Sequence, residues 1–166
     1  FNAAVAALLL VMRWFINNLE ADRRAQLLAS EERLRRSEQN YRQLVELSPA
    51  PILIYDGTTV RYVNSAAVEL FGAASAAEVV GKTVRDLIHP DYLPVVEYQI
   101  ETVLRYNESF HAADRKLLRL DGGTIDVEAA GSLIMFDNRP ALQVVYKNIT
   151  HHKQQAAVER QRRLSA

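Results

Sequence analysis

The sequence predicts an α+β domain: a five-stranded antiparallel sheet with helices on one face, preceded by a long N-terminal helix that forms a coiled coil. Three observations predict it. No glycine or proline occurs before Pro49, and all six glycines and five prolines lie from there onward. After Pro49 the patterns come as two strands, several short helices, then three strands, the order of an α+β sheet rather than an alternating α/β one. Within the later strands apolar side chains alternate, so one face is dry and the other wet.

Residues 1–47 contain no helix breaker, and a continuous helix over Ala3–Leu47 would be about 65–70 Å long at about 1.5 Å per residue. Such a helix needs a partner. The seam Leu9, Met12, Ile16, Leu19, Arg23, Leu27, Ser30, Leu34, Ser37, Tyr41 and Leu44 advances by alternating threes and fours, with a stutter of two fours around Arg23. This predicts a parallel homodimer joined through the N-terminal helix, with Leu9, Met12, Ile16, Leu19, Leu27, Leu34, Tyr41 and Leu44 as its dimer seam. The alternative is a single amphipathic helix folded back on its own domain. Ala3–Met12 is apolar all round, too short to span a bilayer, and reads either as the dry end of the coil or as the end of a transmembrane segment lying within residues 1–16. Residue 1 is Phe, so the chain reads as an excised piece of a longer protein.

Pro49–Pro51 ends the helix. Ile52–Tyr55 and Val60–Val63 then form a hairpin across Asp56–Thr59. Asn64 occupies an N-cap position before a helix over Ser65–Phe71 that Gly72 closes. Ser75–Glu78 reads as a capping box opening a short helix that stops at Gly81, and Thr83–Ile88 as a further helical turn. Between Tyr92 and Asn107 a stripe of Leu93, Val96, Ile100 and Val103/Leu104 marks a helix of about four turns with one buried side. Strands follow over His111–Leu120, Thr124–Phe136 and Ala141–Ile149, joined by turns at Asp121–Gly123 and Asp137–Pro140. On the fourth strand Ile125, Val127, Ala129 and Gly131 share the dry face, opposite Asp126 and Glu128. Ala129 and Gly131 are small where a filled core would want bulk. Either a cavity lies between sheet and helices, or Gly131 marks a β-bulge and bulky helix residues fill the gap.

Composition narrows the function classes. Of 166 residues, 49% are hydrophobic and 24% charged, which suits one folded domain with an appendage. There is no cysteine, which excludes disulfides, thiolate metal sites and cysteine nucleophiles. Twenty basic side chains balance twenty acidic ones, so no overall charge draws the chain to nucleic acid. The four histidines form no metal set, because His151 and His152 are adjacent and diverge while His89 and His111 lie in a turn and at a strand start.

Residues 38–152 resemble the PAS sensor-domain family. The pieces that carry the resemblance are Tyr41-Arg-Gln-Leu44 leading to Ser48-Pro49-Ala50-Pro51, Tyr62-Val-Asn64 and Leu70-Phe71-Gly72, followed by Gly81-Lys-Thr83, Ile88-His-Pro-Asp91, Asp121-Gly122 and Asn148-Ile149-Thr150. The closing triplet usually begins with Asp in that family, and Asn148 lacks the charge. The resemblance implies a sensor domain over residues 48–150, a signalling helix starting at 151–166, and Asn148, Ile149 and Thr150 as the signal relay. It also implies a downstream effector domain in the same chain, of the sensor histidine kinase or cyclic-dinucleotide enzyme type. On this reading the domain is cytoplasmic, its parent either anchored in the inner membrane or not, and the fragment is not itself an enzyme.

In that family the sheet and helices enclose a ligand. Here the candidate ligand-binding residues on the sheet are Leu53, Tyr55, Arg115, Leu117, Val127, Ala129, Gly131, Val144 and Tyr146. The helices and their connections add Leu70, Phe71, Ile88, Val96, Ile100, Val103 and Leu104. This set expects a small apolar or amphipathic ligand. Arg115 and Tyr55 are the polar groups among them that could orient a ligand carboxylate; alternatively Arg115 pairs across strands with a surface acid. No cofactor is called for. Photoactive flavin members of the family bond the flavin to a cysteine that is missing here, and haem members use a histidine on the long helix, where Val96 stands instead. Two readings of other classes remain: a ligand-free dimerisation or docking platform, and a small-molecule enzyme, which would need an acid or histidine facing the cavity.

Overall fold

The computed structural model describes residues 2–164, with side chains from Ala6 to Arg163. The expected apolar segment before Ala6 and the last residues of the exit helix therefore lie partly outside the described residues. The chain divides into two units, residues 1–44 and 45–166. The first lies within one unbroken helix, α1 (Asn2–Glu46), whose last two residues belong to the second unit. Among the described residues no helix is long and apolar enough to cross a membrane.

The second unit is a five-stranded antiparallel sheet in the order β2-β1-β5-β4-β3, formed by β1 (Ile52–Tyr55), β2 (Val60–Val63), β3 (Phe110–Leu118), β4 (Thr124–Phe136) and β5 (Arg139–Asn148). The first strand thus sits beside the last, and β5 becomes the central strand of an open sheet edged by β2 and β3. Short helices α2 (Ser65–Leu70) and α3 (Val84–Leu87) and the longer α4 (Leu93–Tyr106) fill the connection between β2 and β3. An exit helix, α5 (Thr150–Leu164), follows β5. The core lies between the sheet and these connecting helices, with Phe71, Leu117, Val127 and Val103 fully enclosed.

Alternation and capping explain most boundaries. Parity predicted the dry face of β4 correctly: Val127, Ala129 and Gly131 are buried. α4 ends where Asn107 takes a left-handed conformation (φ 55°), a geometry that Asn tolerates better than most residues. Three expectations need correction. Ser75 makes no side-chain cap, and a 3-10 turn (Ala76–Glu78) forms where a helix was expected; Glu78 instead accepts from the Ala74 N–H at 2.8 Å. The box forms one turn later, where Asp86 accepts from both the backbone N–H and the hydroxyl of Thr83 (2.7 and 2.8 Å). The β4–β5 turn is only Asp137–Asn138, both with positive φ (48° and 59°), so Pro140 already lies in β5 opposite Met135.

One side chain joins the start of this domain together. Asn64 is wholly buried. Its Oδ1 accepts from the Ile52 N–H (2.9 Å), beginning β1, and from the Ala67 N–H (3.0 Å), capping α2. Its Nδ2 donates to the carbonyls of Val45 (3.0 Å) and Ala50 (2.9 Å), in the last turn of α1 and the segment after it. Asn64→Ala orphans the Ile52 N–H and the Ala50 carbonyl at about 1–3 kcal/mol for each that stays dry, and takes one of two bonds from the Ala67 N–H and the Val45 carbonyl. We expect a loss of about 3 kcal/mol or more, read as a lower urea midpoint at unchanged slope; a loss below about 1 kcal/mol would show that the junction is not held this way.

Candidate functional site

Between the sheet and α3–α4 lies a cavity of about 30 Å³, walled by Leu53 and Tyr55 of β1, Ile88, Val96 and Ile100 from the helical side, and Arg115, Val144 and Tyr146 from the sheet. Val60, Val84, Leu87 and Leu142 complete the wall. That space suits one or two waters or a molecule of a few heavy atoms. It adjoins a surface cleft of about 720 Å³ between the β1–β2 turn, α3 and α4. Tyr55, Val84 and Ile100 wall both, so they form the partition between cavity and cleft. Arg85 of α3 and Glu97 of α4, both lining the cleft, form an ion pair at 2.5 Å.

The other candidate lining residues sit elsewhere. Phe71, Val103, Leu117, Val127 and Ala129 are packed in the solid core. Leu104 faces the cleft, and Leu70 lines a separate groove beside Pro49–Pro51 and Asn148. Gly131 opens no space, because a methyl group there would lie 2.3 Å from Phe110 Cε1: the phenyl ring occupies the position. The irregularity allowing this is on β3, where the register slips between Phe110 and Ala113 and Ala112 has φ 50°. The bulge expected at Gly131 is thus on the strand opposite it.

Arg115 is the one residue of net charge in the cavity wall. It is 3% exposed and does not pair with a surface acid. Its Nη2 donates to Gln99 Oε1 on α4 at 2.6 Å, and its guanidinium lies over the Phe110 ring, 4.9 Å from the centroid. The buried Nε–H has no partner. Burial holds its pKa below the ordinary value, with Tyr146 acting in the opposite sense, but an arginine keeps its proton at any accessible pH. Tyr55 does not complete this group, since its hydroxyl donates to the Thr58 carbonyl at 3.0 Å. The phenol coupled to Arg115 is that of Tyr146, pushed up in pKa by burial and drawn back by the guanidinium. Gln99 was not singled out from the sequence, although a polar residue between Val96 and Val103 on the buried stripe of α4 was the available signal.

The end of α1 and the start of α5 are tied to the sheet and to α2 by side-chain bonds. At the entry, Glu46 Oε1 accepts from the Ser65 N–H (3.1 Å) and hydroxyl, and Oε2 from the Tyr62 hydroxyl (2.6 Å). These bonds, Ser65 first, hold its carboxyl below the ordinary pKa. At the exit, Asn148 Oδ1 accepts from the Thr150 N–H (3.0 Å), the Ile149 N–H donates to the Asp126 carbonyl (2.9 Å), and the Thr150 hydroxyl oxygen accepts from the Asp126 N–H (3.2 Å). Lys153 Nζ bridges Asp114 (3.3 Å) and Asp126 (3.4 Å) on neighbouring strands. Glu46 and Lys153 were missed in the sequence because each is one charge among many on a polar helix.

Similarity to known proteins accords with this geometry. The family model described as PAS fold matches residues 39–146. Over 116 residues the chain is 28% identical to sporulation kinase A of Bacillus subtilis (strain 168), a match covering 69% of this chain and 19% of the kinase. Most of that relative therefore has no counterpart here. The PAS domain of an HTR-like protein from Haloarcula marismortui superposes with a TM-score of 0.61 at 21% identity, covering 73% of this chain and 98% of that one. The PAS domain of nitrogen regulation protein NR(II) from Vibrio parahaemolyticus gives 0.54 at 25% identity, covering 64% and 95%.

Two outcomes are expected from these contacts. Gly131→Ala drives a methyl group into the Phe110 ring and should cost about 1–3 kcal/mol in denaturant unfolding; an unchanged midpoint would mean the ring is not seated there. For Glu46 the folded pKa lies below 4.5, so its contribution is complete above 4.5 and is lost as pH falls through the folded value. The stability difference between wild type and Glu46→Gln should be constant at neutral pH and shrink on acidification, and a difference flat with pH would remove Glu46 from the junction.

Proposed function

Because the chain belongs to the PAS fold family, we propose that it is the sensing module of a signal-transduction protein, in which occupancy of the core cavity is passed to paired helices and on to an effector domain in the same chain. The carrying observation is how short the path is. β5 presents Val144 and Tyr146 to the cavity and ends two residues later at Asn148, where the exit bonds begin. β1 presents Leu53 and Tyr55, and the N–H of Ile52 just before them is held by Asn64, which also holds Val45 at the end of α1. A ligand that favours one of two strand positions would thereby favour one setting of both helices, provided that it binds the two states with different affinity. The effector of sensor kinase or cyclic-dinucleotide type and a cytoplasmic setting belong to this proposal, and the likeness to a kinase supports it.

Pairing through the seam is part of the same reading. Leu9, Met12, Ile16, Leu19, Leu27, Leu34, Tyr41 and Leu44 are each about half or more exposed in the single chain, and a second copy is the covering that their spacing fits. The cysteine-free background makes a direct test simple. Leu27→Cys and Leu34→Cys should cross-link into disulfide dimers under mild oxidation far faster than Arg24→Cys or Arg33→Cys, with sedimentation reporting a dimer. Monomers that cross-link without seam preference would overturn the pairing.

The docking-platform reading has one observation in its favour, the small size of the cavity. Native mass spectrometry of the purified chain separates the two readings: a retained small molecule supports sensing, and an empty chain unmoved by a ligand library supports docking. The enzyme reading has nothing comparable, since no Asp, Glu or His lines the cavity.

A further inference from the structure

We propose that the ligand of this cavity is a short monocarboxylate of formate or acetate size, with Arg115 as its anchor. The inference rests on reading the core cavity as the sensing site. Four observations carry it. The cavity wall holds a guanidinium and no carboxylate, so a full positive charge is enclosed without a counter-charge. An isolated buried ion is strongly disfavoured unless paired, and its protein partners here are neutral: the Gln99 amide oxygen and the Phe110 ring face. Asp114, the residue before Arg115 in the chain, is engaged by Lys153, and Glu97, on the helix that carries Gln99, by Arg85. The buried Nε–H has no partner, so a charge-assisted donor is left for a carboxylate oxygen beside the Nη2 that Gln99 holds.

The remaining wall describes the rest of the ligand. Ile88, Val96, Ile100, Leu142 and Val144 offer contact to a methyl group and no further polar partner, and Tyr146 adds a phenol. A volume of about 30 Å³ accepts an anion of three or four heavy atoms and excludes a dicarboxylate, whose second charge would meet no second cation in the wall. Entry lies through the adjoining cleft, past the partition of Tyr55, Val84 and Ile100, where the Arg85–Glu97 pair ties α3 to α4.

The test uses the isosteric pair acetate and acetamide, with formate and with sodium chloride at matched ionic strength. Sodium acetate at about 50 mM should raise the thermal midpoint by about 2 °C or more over chloride, and acetamide should not. Arg115→Met, which keeps the stem and removes every donor, should abolish the acetate effect. Should that variant not fold, the wild-type chain still decides: the Arg115 Nε–H resonance in a ¹H–¹⁵N spectrum should move in a saturable way with acetate and stay still with acetamide. Equal stabilisation by acetate and acetamide would overturn the anion anchor while leaving a ligand-sensing cavity in place. Equal effects of acetate and chloride would overturn selectivity for a carboxylate. No response to acetate or formate, with a still Nε–H resonance, would overturn the inference whatever the seam cross-linking shows.

Discussion

The domain depends on a single carboxamide. Asn64 is the residue at which the last turn of α1, the segment after it, the first strand and the first short helix meet, and it serves all four from a fully buried position. Only a primary amide has an acceptor on one side and two donors on the other in so small a volume. An aspartate would place a carboxylate against the Val45 and Ala50 carbonyls, and an aliphatic residue would leave the Ile52 N–H and the Ala50 carbonyl dry and unbonded. The consequence is mechanical. β1, which walls the cavity, cannot shift far without moving the end of the helix that precedes it.

The interior shows a related economy. Phe110 fills the space above Gly131 and at the same time presents its ring face to the Arg115 guanidinium. Filling the small-residue gap and partly compensating a buried cation are thus one act of packing. The bulge in β3 allows both, because without the slipped register Phe110 would not meet Gly131 across the sheet. What the ring and Gln99 leave over is an unpartnered Nε–H, the one buried side-chain nitrogen or oxygen without a hydrogen bond among the described residues.

The architecture was largely legible in the sequence because it is written in short-range signals. Period-two alternation located β4, and Pro49 and Pro51 located the end of α1. Asn64 announced itself as an N-cap, though nothing local disclosed its three other partners. Legibility failed where two local signals competed, as at Ser75 and Thr83, which both carry an acidic residue three positions on and of which only the second forms the box. It failed more deeply in the site. An arginine in an alternating row reads as inward or outward according to where a bulge falls, and the bulge is set by the fit of Phe110 to a glycine on another strand. Ion pairs such as Lys153 with Asp114 join elements far apart in the chain, where no periodicity records them.

Each end of the domain is fastened twice, once by neutral bonds and once by charge. The entry has the buried Asn64 amide and the Glu46 carboxylate; the exit has the Ile149 and Thr150 bonds to the Asp126 backbone and an ammonium shared between two carboxylates. Salt screens charges most when they lie farther apart than a Debye length of about 8–10 Å, and these ionic contacts are far shorter. Both moorings therefore keep a hold that electrolyte does not reach, and the two ends of the domain stay anchored across a wide range of salinity.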